Sequence, residues 1–222
     1  MVLSEIRTPL WKEFLLEWRQ KYAINGMLLY LASTILVCYM SFNLKPNQLN
    51  VLTWNALFWI ILLFTAVNAV AKSFLQERYG RMFYYYSLVS PQSVILSKTI
   101  YNLVLMLILA LLGYAVYATV LGNPVQDKLY FLISIVLGAI GFSIIFTMIS
   151  AIASKAQNSN MLMAVLGFPI IIPVMVMVLK ISKSAIDGLD RSLSTDEVFV
   201  LLAINIMIAT VAYILFPYLW RS

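Results

Sequence analysis

The chain has 222 residues, 63% of them hydrophobic and 11% charged, with a mean hydropathy of +0.92, whereas soluble domains run at about 45–50% apolar and ~25% charged. So few charges cannot cover the core of a soluble fold of this length, and an integral membrane protein organised as one compact domain, 1–222, is expected. The net charge of +6 comes from cations scattered between apolar runs, not gathered into a basic stripe, so anionic lipid headgroups are the expected counterpart and no nucleic acid is.

Residues 1–22 do not read as a signal peptide, because Glu5, Glu13 and Glu17 interrupt them and no short apolar stretch ends in a small-residue cleavage site. They read as an interfacial helix. Thr8 caps it and Pro9 takes the first helical position. Leu10, Trp11, Phe14, Leu15, Trp18 and Tyr22 share one side, and Lys12, Glu13, Glu17, Arg19 and Lys21 the other, with Glu17 and Lys21 spaced for an i,i+4 pair. Two tryptophans on the apolar face fit a helix lying among headgroups; a surface helix packed on another protein helix is the alternative.

Six nearly charge-free runs follow, at 23–42, 51–71, 99–121, 129–153, 161–179 and 198–216. Crossing a hydrocarbon core of about 30 Å takes ~20 apolar residues, so each qualifies as a span and an all-α polytopic fold is expected. The alternation of barrel strands is absent. Cys38, in the first run, is the only cysteine; it can form no intramolecular disulfide and reads as a small buried hydrophobe. The chain contains no histidine, so imidazole cannot hold haem or zinc, and no metal site is expected.

Between the second and third runs lies Lys72 to Lys98, KSFLQERYGRMFYYYSLVSPQSVILSK, with four cations and one anion, Glu77. Its first half has helical periodicity: Leu75, Tyr79, Met82, Phe83 and Tyr86 on one face, Gln76, Glu77, Gly80 and Arg81 on or near the other. Ser90 and Pro91 then supply an N-cap and a first-turn proline, which starts the next span there and puts Lys98 near that span's cytoplasmic end. On periodicity alone this stretch is equally an amphipathic connector.

Positive residues are retained in the cytoplasm. Ten Lys and Arg fall on the side of the N-terminus, the Lys72 to Lys98 loop, Lys155 and Arg221, against five on the other: Lys45, Lys128, Lys180, Lys183 and Arg191. Both termini and the loop are therefore expected in the cytoplasm.

In the fourth run Gly138, Ala139, Gly141, Ser143, Thr147 and Ala151 form a small-residue surface suited to close helix packing, within the subunit or across an interface. In the fifth, Pro169 and Pro173 remove two amide donors four residues apart, which predicts a kink or break, either a bend or a gate. The segment ISKSAIDGLDRSLSTDEV reads as the one sizeable external loop, with Ser194 and Glu197 as a capping box for the last helix. Asn68, Asn102 and Asn205 are the candidates for interhelical amide bonds.

No Asp, Glu, Lys or Arg lies deep in any run, which argues against an ion-driven carrier and against an intramembrane enzyme. Any energy for transport must enter from another chain. A membrane scaffold that holds partners without transporting anything is the competing class.

Glu77, Gly80, Ser90, Pro91 and Lys98, in that order and spacing, resemble the coupling segment of type-2 ABC exporter permeases. The length, the six spans, the N-terminal interfacial helix and the PIIIP run within that class are most similar to the CcmB family, haem exporter protein B of cytochrome c maturation. Arg81, Met82, Phe83 and Tyr84–Tyr86 depart from the small-then-leucine-rich pattern usual after the glycine. The resemblance implies a permease of the bacterial inner membrane that couples through Glu77, Arg78, Gly80, Arg81, Ser90, Pro91 and Lys98 to a separate CcmA-like ATPase subunit. It also implies assembly with a CcmC-like haem-handling membrane protein. ATP bound by the partner would drive haem export, or release of a haem-loaded chaperone, with no cofactor bound to this chain. None of the eight glycines belongs to a GxxxxGK phosphate loop, as a permease without its own ATPase requires. The same class also moves lipids, polysaccharides and drugs.

Overall fold

The computed structural model describes residues 8–15, 22–43, 49–70, 73–74, 90–154 and 159–221. Among them there is no strand. A short helix, α1, covers 8–15 and six long ones follow: α2 (Tyr22–Asn43), α3 (Val51–Val70), α4 (Pro91–Leu121), α5 (Lys128–Ala153), α6 (Ser159–Asp187) and α7 (Thr195–Arg221). A 3-10 turn, Arg191–Ser194, precedes α7. All six long helices are apolar and long enough to cross a membrane. In hydrocarbon a backbone satisfied within its own segment is the open-chain solution, and these sequences adopt it.

Successive helices run in opposite directions. Lys98, near the start of α4, bonds the Ser73 carbonyl just after α3; the Trp54 indole at the start of α3 bonds the Gly122 carbonyl just after α4. The amide of Asp127, before α5, bonds Ala185 at the end of α6. The bundle therefore has an α1 end, with Ser73, Phe74 and Ser90, and an opposite end, with Trp54, Gly122 and Asp127.

The central helix is α5, which packs against α3, α4, α6 and α7. Its small-residue face is what admits them, since apolar helices in lipid associate through close contact and hydrogen bonds. A Cβ added to Gly138 would lie 2.6 Å from Trp59 Cζ3, and one on Gly141 would lie 2.7 Å from Asn205 Oδ1 and 3.0 Å from Val174 Cγ1. The Gly138 to Ala151 surface is thus used within the subunit, to seat α3, α6 and α7. The faces of α2, α6 and α7 turned outward carry Leu29, Met40, Val165, Phe168, Phe199 and Ile206, all exposed.

Several boundaries and contacts differ from the sequence expectation. Helix α4 begins at Pro91, where Ser90 and Pro91 placed its start, eight residues ahead of the charge-free run at 99, and Ser93, Ser97 and Lys98 in that added stretch are all buried. The external loop shrinks: α6 continues to Asp187 because Ser182 and Ser184 are buried and hydrogen-bonded, and the turn is made at Gly188, whose φ of 65° suits glycine. The expected capping box does not form, because the Ser194 hydroxyl bonds Ser184 Oγ at 3.0 Å and Tyr130 Oη at 2.8 Å. Glu197 Oε2 is buried and has no hydrogen-bond partner. Asn102 and Asn205 do bridge helices, to Thr147 and to the Leu137 carbonyl. Asn68 faces outward and bonds Phe64 of its own helix, while the buried Asn55 takes the bridging role. Cys38 is only partly buried.

Trp59 cannot retreat from Gly138, since its indole N–H is held by Ser182 Oγ at 2.9 Å and its ring by Phe142. Gly138→Ala is therefore expected to destabilise the protein by about 1–3 kcal/mol. Gly26→Ala, where nothing lies within 4 Å, should not destabilise it. Thermal unfolding in detergent compares the two; equal melting temperatures would contradict the packing described.

Candidate coupling junction

Of the seven coupling positions expected from sequence, Glu77, Arg78, Gly80 and Arg81 lie outside the described residues, as do Tyr84–Tyr86. Ser90, Pro91 and Lys98 are described, and all three sit at the α1 end. Ser90 has φ −65° and ψ 141°, the extended conformation that a following proline imposes. Its carbonyl accepts the Ser93 and Val94 amides at 3.0 and 3.2 Å. Ser90 occupies the N-cap position, yet its hydroxyl pairs with Ser93 Oγ at 2.7 Å and makes no capping bond.

Lys98 points into the protein. Its side chain is 2% exposed, and its ammonium donates to the Ser73 carbonyl at 2.9 Å, sits 3.4 Å from Glu13 Oε1 and lies 4.8 Å from the centre of the Phe74 ring. A buried ammonium requires such partners, because its desolvation otherwise costs several kcal/mol. Glu13 also meets Lys12 at 3.0 Å, and Phe14 packs edge-on against Tyr101 at 5.4 Å. Trp11 and Leu15 remain exposed. One side of α1 is thus bound to α4, as a helix packed on another protein helix would be, and another side is exposed.

Sequence reasoning missed the residues Lys98 meets. Ser73 and Phe74 leave α3 in a turn closed by the Ser73 amide on Val70. The Phe74 amide donates to Ser150 Oγ of α5 at 3.1 Å, and Asn102 of α4 donates to Ser73 Oγ at 3.2 Å and to Thr147 Oγ1 of α5 at 2.8 Å. Phe74, Val94, Ile95, Ala151 and Phe216 make a separate apolar cluster, with the Phe74 and Phe216 rings 5.6 Å apart. The available signal was a lone cation early in an apolar helix, which needs a carboxylate or carbonyl nearby.

The opposite end is built differently. Trp54, Phe58, Trp59, Tyr114, Tyr117, Phe131 and Phe142 stack in one contiguous aromatic group. Tyr117 donates to the Trp54 carbonyl at 2.9 Å, and Ser182 links Trp59 to Asn55. At the rim Arg191 binds Asp127 through both carboxylate oxygens, at 2.7 and 3.1 Å. That contact first, and then the Tyr130 amide, hold the Asp127 carboxyl below its ordinary range. Pro169 and Pro173 lie on the exposed side of α6, which runs unbroken through both. Among the described residues no group of acidic or cysteine side chains could hold a metal.

Six apolar helices around a small-residue centre define a multi-pass α-helical membrane protein. The family model of the CcmB protein matches residues 5–218, nearly the whole chain, and the chain belongs to the CcmB family. That membership makes it a membrane permease subunit of haem transport in cytochrome c biogenesis. A comparison with curated proteins finds none that matches.

Asp127→Asn keeps an N-cap oxygen for Tyr130 and weakens only the Arg191 contact. The native carboxyl's pKa is depressed, so the stability it adds is present above its ordinary 3.8 and lost as pH falls through the lower folded value. The variant should melt slightly lower than the parent near neutral pH, and the difference should fade below that range. A difference constant with pH would contradict the assignment.

Proposed function

We propose that this chain is the permease subunit of an ABC exporter of cytochrome c maturation, driven by a separate CcmA-like ATPase that docks on the 72–98 segment. Glu77, Arg78, Gly80 and Arg81 form the docking surface, and the Ser90 and Pro91 elbow carries its motion into α4. Haem, or a haem-loaded chaperone released on the far side, is the cargo, delivered with a CcmC-like membrane partner. ATP binds only to the ATPase subunit, and this chain holds no cofactor of its own. It sits in the bacterial inner membrane with both termini and the α1 end cytoplasmic, in keeping with the ten-to-five distribution of Lys and Arg.

The observation that carries this reading is the convergence of the segment's two described ends. Ser73 and Phe74 at its start, and Val94, Ile95 and Lys98 at its finish, meet in one buried junction against α5 and α7. A connector that merely spanned two helices has no need to be clamped at both ends to the centre of the bundle. A partner pushing on such a segment moves the helices it is fastened to.

Gly80→Pro removes an amide and fixes φ, and Glu77→Lys reverses the one negative charge of the 72–98 segment. Each should abolish stimulated ATP hydrolysis in the reconstituted complex while the chain still inserts in the membrane. Wild-type hydrolysis in both variants would refute the docking site, and reproducible failure of the unmodified chain to co-purify with a nucleotide-binding subunit would favour a scaffold.

A further inference from the structure

The geometry points to Glu13 and Lys98 as a positioning pair that fastens α1 to the junction and makes it part of the transmission from the ATPase to α5; this rests on the reading above. Three observations meet here. Lys98 is almost wholly buried yet sits on α4 only two turns from the Ser90 elbow, so its charge is held inside the protein rather than offered to a partner. Among the described residues it meets Glu13 Oε1 of α1 at 3.4 Å and the Ser73 carbonyl at 2.9 Å, from two other parts of the chain. Ser73 in turn receives Asn102, which bonds Thr147 of α5. One ammonium thus ties α1 to the start of the 72–98 segment, and the neighbouring amide carries the tie to the central helix.

The apolar parts follow the same route. Phe74 lies under the Lys98 ammonium and against Phe216 of α7, and its amide is held by Ser150 of α5. Phe14 rests on Tyr101, one residue before Asn102. A displacement of Ser73 relative to Ser90 must therefore either carry α1 with it or break the Glu13 contact and leave a buried cation with less compensation. The second course is the costly one. With Trp11 and Leu15 exposed on its outer side, α1 is anchored to its surroundings as well as to α4. It resists or transmits the movement rather than following it freely.

The two partners are not equivalent. Glu13→Gln leaves a buried ammonium with less compensation, whereas Lys98→Met leaves a carboxylate that still has Lys12 at 3.0 Å. Glu13→Gln should therefore lower the melting temperature more than Lys98→Met, and adding Lys98→Met to Glu13→Gln should recover part of the loss. This arm uses the chain alone in detergent and is independent of any ATPase. Additive losses in the double variant would overturn the pairing.

The transmitting role is read in the complex with the ATPase subunit, using MgATP turnover at matched stoichiometry. The double variant, stable but without the tie, should hydrolyse ATP at least about fivefold more slowly at saturation with an unchanged KM for MgATP. Wild-type turnover in the assembled double variant would overturn the proposal while leaving the docking site intact. If Glu77→Lys also leaves turnover unchanged, it is the docking reading that fails.

Discussion

Apolar helices gain little from leaving lipid for one another, so their association rests on how closely their backbones approach and on the few polar groups they share. In this chain both conditions are met along α5. Gly138 and Gly141 leave room for Trp59, Val174 and Asn205, which lets α3, α6 and α7 close on one helix. Small hydroxyls continue the same face, and Thr147 and Ser150 are where the α1 end is hydrogen-bonded to it. Remove the small residues and neither end of the bundle keeps its partners.

The two ends of α5 are held by different chemistry. At the opposite end the aromatic group and the bonds among Asn55, Trp59 and Ser182 belong to the large apolar core. At the α1 end five apolar residues form a cluster of their own, beside a network organised by one ammonium. Among the described residues the α1 end has the smaller apolar cluster and relies more on polar contacts, features that make a region easier to open. Under the proposed function, movement enters at the α1 end and the opposite end holds the helices together while it does.

The six spans were legible because charge-free runs of the right length have few other uses, and the family resemblance was carried by motifs that survive in the sequence. Helix ends were less legible. Serines such as Ser182, Ser184 and Ser194 read as loop residues, yet here they satisfy one another and Asn55 inside the protein. Facing was the harder matter. Helix α3 is apolar all round, so nothing in its pattern told Asn55, which turns inward, from Asn68, which turns outward. Lys98 was found by its place after Ser90 and Pro91, but its partners Glu13 and Ser73 are set by tertiary packing that no local spacing records. Pro169 and Pro173 signalled a disturbed helix; the exposed side of α6 accommodates them without interrupting it.

The central claim is that work enters at the α1 end and is passed to α5. Hydrogen–deuterium exchange of the chain assembled with its ATPase subunit, without nucleotide and with MgADP and vanadate, tests it most directly. The expected result is a change in amide protection shared by residues 8–15, 90–106 and 147–154, with 54–62, 114–121 and 178–186 unaltered. A change confined to the opposite end, or none at the α1 end while ATP is being hydrolysed, would contradict it.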